Sequence, residues 1–274
     1  MCELLALSTS QPAHLTFSLH ILASHGGAAG IAHHGWDVAF SQGEDVALFR
    51  EPTAAADNAL VRFLELRGPS THLAISHIRH ATWGSVKFSN TQPFTRELGG
   101  RTHVFAHNGY LGGIEESTVL TLSIDRPVEQ TDSERAFCAL LTQMRALRGG
   151  TNLPSLKARM MLLTSFAADL RLLGAANFLY ADGDALFAHE HRRLTRLGAP
   201  VEPPGLWVLR RHHTPAEPAP AHEAGVAVEQ SDSTALFIAS VPLTGETGRP
   251  LQKGGLMAVR DGEVLATRFA AISS

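Results

Sequence analysis

Apolar positions early in the chain recur at every second residue, and this period predicts strands. "LLAL" after Glu3 is a short apolar strand candidate. Trp36–Phe40 and Val46–Phe49 alternate across a Gly-containing turn, which predicts a hairpin. Before them, "SHGGAAGIAHHGW" is too rich in glycine for regular structure and reads as a loop. In "TAAADNALVRFLEL" and the Arg that follows, the spacing lengthens. Ala59, Leu60, Phe63, Leu64 and Arg67 fall three and four apart and predict a helix. "HLAISHIRH" returns to alternation, as does "RTHVFAHNGY", which ends in an Asn-Gly turn signal.

The clearest helix is "TDSERAFCALLTQMRALRGG". Thr131 and Glu134 form a capping-box pattern, Phe137, Leu140, Leu141 and Met144 make the apolar face, and Gly149-Gly150 ends it. "LKARMMLLTSFAADLRLL" predicts a second long helix. From Asn177 short strands return: "NFLYADGDALFAHE" with an Asp-Gly turn, "GLWVLRR", "GVAVEQ", "TALFIASVPL" and "GLMAVRDGEVLATR". "HHTPAEPAPAHEA" reads as a Pro/Ala-rich loop, too short for a domain linker. Strands, then helices, then strands give an α+β class with antiparallel sheets and segregated helices.

Composition narrows the function. With 274 residues and 44% hydrophobic content the chain can bury a full core. A net charge of -3 with scattered Lys and Arg argues against a nucleic-acid partner and against a basic membrane patch. Apolar runs fall far short of the ~20 residues of a membrane helix. The N-terminus lacks a basic segment and carries Glu3, so no signal peptide is read. Two cysteines make no disulfide framework, and a cytoplasmic setting is expected.

Six residues stand out chemically. Cys2 directly follows Met1. If Met1 is removed, the α-amino group of Cys2, with a pKa of ~7.7–8.0, can serve as base for its own thiol. The competing reading is a small buried strand residue. Arg79 lies in an apolar strand and needs an anion, either a structural carboxylate or a substrate carboxylate held by its fork. Thr82 follows at the strand's end. Asn108-Gly109 is either a plain turn or a pair of donors, the Asn amide and the Gly N–H, converging as an oxyanion hole. Asp132 either complements the helix dipole or binds an ammonium group. The 15 histidines lack the convergent spacing of a metal site; His33-His34, His77/His80, His103/His107 and His212-His213 read as surface or hydrogen-bonding residues, and no metal or cofactor is expected.

The order of these landmarks is more specific than any one of them. Cys2, "HHGWDVAF", "HIRHAT", "NTQPF", "FAHNG" and "TDSE" in succession resemble the class II glutamine amidotransferases, which are N-terminal nucleophile hydrolases. The resemblance runs from residue 2 to about 147 and resumes at "SVPLTGETGRPLQKGGLMAVRDGEV". It is strongest with the stand-alone group related to the γ-glutamyl amidohydrolase of ergothioneine biosynthesis.

The resemblance implies a four-layer αββα sandwich over a single domain, residues 1–274, with no synthase domain. It implies that Cys2, freed of Met1, attacks the γ-amide of glutamine or a γ-glutamyl amide and forms a γ-glutamyl thioester. Asn108 and Gly109 would hold the oxyanion. Arg79 and Thr82 would bind the substrate α-carboxylate, and Asp132 its α-ammonium. His34, His80 and Gln92 depart from the family pattern, standing where an Arg, an aromatic residue and a His are usual. Two outlets for the amine follow: release by the chain alone, or delivery of ammonia to an accepting partner protein. The alternative is an inactive relative acting as a γ-glutamyl ligand-binding or regulatory protein.

Overall fold

The computed structural model describes residues 2–15, 35–55, 58–79, 86–149, 152–194, 200–213, 227–228, 233–241 and 248–269. In chain order its first elements are β1 (Glu3–His14), β2 (Trp36–Gln42), β3 (Asp45–Glu51), α1 (Ala59–Arg67), β4 (Thr71–Ile78), β5 (Phe94–Glu97) and β6 (Thr102–Leu111). Two long helices follow, α2 (Asp132–Arg148) and α3 (Leu156–Leu173). The remainder is strand: β7 (Gly174–Ala181), β8 (Leu186–His189), β9 (Arg193–Leu194), β10 (Val201–Glu202), β11 (Trp207–His213), β12 (Ala227–Val228), β13 (Ser233–Ala239), β14 (Arg249–Pro250), β15 (Leu256–Arg260) and β16 (Glu263–Arg268).

Two large antiparallel sheets result, with β10 and β9 forming a separate two-stranded ribbon. The first runs β14-β11-β13-β1-β4-β2-β3, with β12 also beside β1. The second runs β16-β15-β8-β7-β6-β5. The sheets pack face to face because their strands are apolar on both sides. Leu4 and Ala6 of β1 meet Val104 and Ala106 of β6 and Leu179 and Ala181 of β7 in the middle layer. Leu5 and Leu7 point the other way, against Val61 and Leu64 of α1. The outer face of the second sheet packs on α2 and α3, where Phe105 stacks on Phe137 with ring centroids 5.4 Å apart. The fold is thus the α+β, four-layer αββα sandwich that the resemblance implies, and β1, which carries the residue after Cys2, is central in its sheet.

Some elements differ from the sequence reading. β1 continues through the polar run Ser8–His14; its register against β4 shifts between Ser8 and Ala13, and this irregularity accommodates Pro12 inside a strand. In α1 Phe63 is 54% exposed, and the buried positions are Val61 and Leu64 rather than Phe63 and Leu64. β6 does not turn at Asn108-Gly109. It pairs with β7 through both, Asn108 with Asn177 and Gly109 with Ala176. On α2 the capping box is half formed: Thr131 Oγ1 accepts from the Glu134 N–H, but the Glu134 carboxylate takes the N–H groups of Val128 and Glu129 and pairs with Arg96 at 2.6 Å. This ties the 127–131 loop, one wall of the cavity described below, to the start of α2.

Candidate active site

A cavity of about 490 Å³ opens where β1, β4 and β6 approach the start of α2. Cys2, Arg79, Gln92, Gly109 and Asp132 line it. Residues far apart in sequence therefore meet in one place. His34, His80 and Thr82 lie outside the described residues.

Cys2 is partly exposed, whereas Cys138 is wholly buried in α2, where burial pushes its thiol up to about 11. Cys138 is therefore a protonated core residue, and Cys2 is the thiol in position to react. Asn108 reaches from the second sheet to the first and donates Nδ2 to the Cys2 carbonyl at 2.7 Å. A side-chain amide has two N–H donors, so one remains for a ligand.

The other donor of the expected pair follows from strand geometry. Backbone N–H groups two residues apart on a strand point to the same side. The last β6 residue paired to β5 is Phe105. Beyond it that edge of β6 is open. The His107 N–H is taken by Gln92 Oε1 at 2.6 Å and the Leu111 N–H by Asp132 Oδ2 at 2.8 Å. Between them the Gly109 N–H faces the same way, into the cavity. Gly109 also admits no side chain, since a Cβ there would stand 1.8 Å from the Ala175 carbonyl oxygen. Gln92, which sequence marks only as a departure from pattern, thus shields one flank of this edge.

Asp132 takes the helix-start position that one reading expected, and it also lines the cavity. Its Oδ1 accepts the Ser133 N–H at 2.8 Å in the first turn of α2, its Oδ2 fixes the end of β6, and the carboxylate lines the cavity. The Ser133 hydroxyl also lies 3.3 Å from Oδ1, and Oδ2 keeps a lone pair for a ligand. Arg79 is nearly buried. Burial lowers its pKa, against the opposing pull of Cys2 and of the Asp37 carboxylate. Its backbone N–H is held by the Gly35 carbonyl at 2.8 Å. Gly35 has φ +130°, and a Cβ there would meet Thr91 Cγ2 at 2.5 Å, so only glycine fits this approach.

His107, which sequence left among the surface or hydrogen-bonding histidines, is buried beneath the site. Its Nε2 lies 3.2 Å from the Ala175 carbonyl, which can only accept, so Nε2 carries the proton and Nδ1 accepts from the Ser133 hydroxyl at 2.9 Å. Burial lowers its pKa against the pull of Asp132 and keeps the ring neutral. His103 is likewise internal, with Nδ1 2.6 Å from the Tyr180 hydroxyl. Among the described residues no cluster of three or more His, Cys, Asp or Glu could hold a metal ion. None of their helices is long and apolar enough to cross a membrane.

Cys2, the Gly109 backbone, Arg79 and Asp132 thus share one cavity, and the Asn108 amide is bonded to the Cys2 carbonyl. Comparison with known proteins bears on what such a cavity does. The family described as "Glutamine amidotransferases class-II" matches residues 1–273. A protein of Escherichia coli K12 named "Putative glutamine amidotransferase YafJ" is 32% identical over 260 residues, covering 93% of this chain and 95% of that one. A crystal structure described as a predicted glutamine amidotransferase from Pseudomonas aeruginosa PA01 is 32% identical, with a TM-score of 0.69, covering 97% of this chain and all of that one. The glutamine phosphoribosylpyrophosphate amidotransferase of B. subtilis is 17% identical with a TM-score of 0.57, covering 99% of this chain and 50% of that one, and shares the fold.

Proposed function

Because this chain belongs to the class II glutamine amidotransferases, we propose that it hydrolyses the γ-amide of glutamine or of a γ-glutamyl amide through a thioester on Cys2. The observation that carries the reading is the one cavity that Cys2, Gly109, Arg79 and Asp132 line together, with the Asn108 amide fastened to the Cys2 carbonyl.

The steps run as follows. Removal of Met1 frees the Cys2 α-amino group, which accepts the thiol proton. The thiolate sulfur adds to the γ-carbonyl carbon, and the negative charge on oxygen is met by the second Asn108 N–H and the Gly109 N–H. Such donors act where charge develops and cost no reorganisation. The C–N bond breaks as the α-ammonium returns a proton to the leaving amine. Water then adds to the γ-glutamyl thioester, and its collapse releases the γ-carboxylate and restores the thiol. Arg79 holds the substrate α-carboxylate, with Thr82 as its expected helper, and Asp132 holds the α-ammonium.

The cavity lies within the ~300–1,000 Å³ range of sites that enclose whole small ligands. That volume leaves room for a γ-glutamyl amide whose amine is larger than ammonia. Such a thiol must stay reduced, which fits a cytoplasmic setting and the two free cysteines. The testing experiment is glutamate release from glutamine and a panel of γ-glutamyl amides, by the purified protein and by Cys2→Ala. Release that depends on Cys2 supports the reading, and release that persists without Cys2 removes it.

A further inference from the structure

The nucleophile and the oxyanion donors stand on different sheets, so their spacing depends on what joins the sheets. One link is the Asn108 amide on the Cys2 carbonyl. A second, longer link is wholly internal. Asn177 on β7 is fully buried, and its Nδ2 donates to the Asn108 carbonyl at 3.0 Å and to the Arg192 carbonyl at 2.8 Å, while its Oδ1 accepts the His191 N–H at 2.8 Å. Both donors and the oxygen of this amide are thus used on backbone. The next residue, Arg193, extends Nη2 to the Glu3 carboxylate at 2.7 Å, and Nη1 to the Ser240 carbonyl. Ser240 Oγ donates to the second Glu3 oxygen and accepts the Leu4 N–H at 2.9 Å. Glu3, Arg193 and Ser240 are each at most 5% exposed. The circuit closes on itself, from Cys2 through Glu3, Arg193, Arg192, Asn177 and Asn108 back to Cys2.

A buried pair of charges is weak evidence of stability, because desolvation offsets much of the attraction. Its geometry, however, is exacting, and a fully satisfied polar network fixes one arrangement. Glu3, Arg193, Ser240, Arg192 and Asn177 do not line the cavity. We propose that Asn177 and the Glu3–Arg193 pair are positioning residues that set the spacing of Cys2 from the Asn108–Gly109 donors. The proposal rests on the amide-hydrolysis reading above.

The test is a double-mutant cycle on the full-length processed protein. It measures kcat and KM for the best γ-glutamyl substrate in Asn177→Ser, Asn108→Ala and the double variant, at a temperature where circular dichroism shows each folded. A displaced donor pair costs ~10–100-fold, so Asn177→Ser is expected to lower kcat by that factor with KM nearly unchanged. In the Asn108→Ala background the same change should cost at least about threefold less than in the parent, because only the Gly109 donor is left to displace and coupled residues are not additive. A residue that only supports the fold would give no loss of kcat in folded protein, or the same loss in both backgrounds, and either result overturns the proposal. If Asn177→Ser does not fold, Glu3→Gln takes its place with the same expectations, since it keeps the shape and removes the charge. If Asn108→Ala itself leaves kcat unchanged, the oxyanion assignment fails first, and the positioning role falls with it.

Discussion

The side-chain amide of Asn108 donates to the backbone carbonyl of Cys2 at 2.7 Å, across the gap between two sheets. This contact holds the proposed oxyanion donor against the residue proposed to carry the nucleophile. Its consequence is specific. Asn108→Ala removes a donor used in the transition state and is expected to lower kcat by ~10²–10³, with a small effect on KM. Steady-state kinetics on glutamine or the best γ-glutamyl amide check this. An unchanged kcat would mean that the amide only fastens the chain.

Arg79 carries a prediction of opposite form. A lysine keeps the charge but lacks the planar fork that grips a carboxylate. Arg79→Lys should raise KM for γ-glutamyl substrates at least tenfold, about the 1.4 kcal/mol that one lost charge-assisted hydrogen bond represents. The same KM in both proteins would assign Arg79 to a structural partnership with Asp37.

Gly109 is constrained by space. A methyl group there meets the Ala175 carbonyl, and also lies 2.9 Å from His107 Nε2. Backbone must move to admit it, at a cost of about 1–3 kcal/mol. Gly109→Ala should therefore lower both Tm and kcat, and thermal melts beside kinetics will show whether they fall together.

Much of the site is legible in the sequence because each residue is out of keeping with its surroundings: a cysteine at the chain start, an arginine in an apolar strand, a glycine pair around "NGYLGG". The αββα layering is legible only through the family resemblance, since the order of strands and helices leaves several sheets open. Other parts are silent for a physical reason. Asn177 and Arg193 act through register, on partners 69 and 190 residues away. Local pattern holds no trace of such pairings. Glu3 is the exception that could have been noticed. It is a carboxylate heading the apolar run Leu4–Leu7, and once buried it needs a cation as surely as Arg79 needs an anion. The Asn-Gly turn signal misleads at residues 108–109 because tertiary pairing with β7 keeps the strand extended there.

Glu190 gives a pH prediction remote from catalysis. It is fully buried with Oε1 on the Gly205 N–H at 2.8 Å, and burial raises its pKa from 4.5 to about 7 against that hydrogen bond. A raised carboxyl pKa means that the folded state holds a proton which the unfolded state has released between pH 4.5 and about 7. Stability should fall as pH rises through that window, by at most ~3 kcal/mol from this group. Glu190→Gln should flatten the fall, which urea titrations at pH 5 and pH 8 will measure.

The central claim is that Cys2, with a free α-amino group, is a nucleophile in a γ-glutamyl pocket. The most direct test is the intact mass of the purified protein before and after treatment with a diazo-ketone analogue of glutamine. The account predicts loss of Met1 and one adduct, mapped to Cys2. Retained Met1 with no adduct, or an adduct mapped elsewhere, would contradict it.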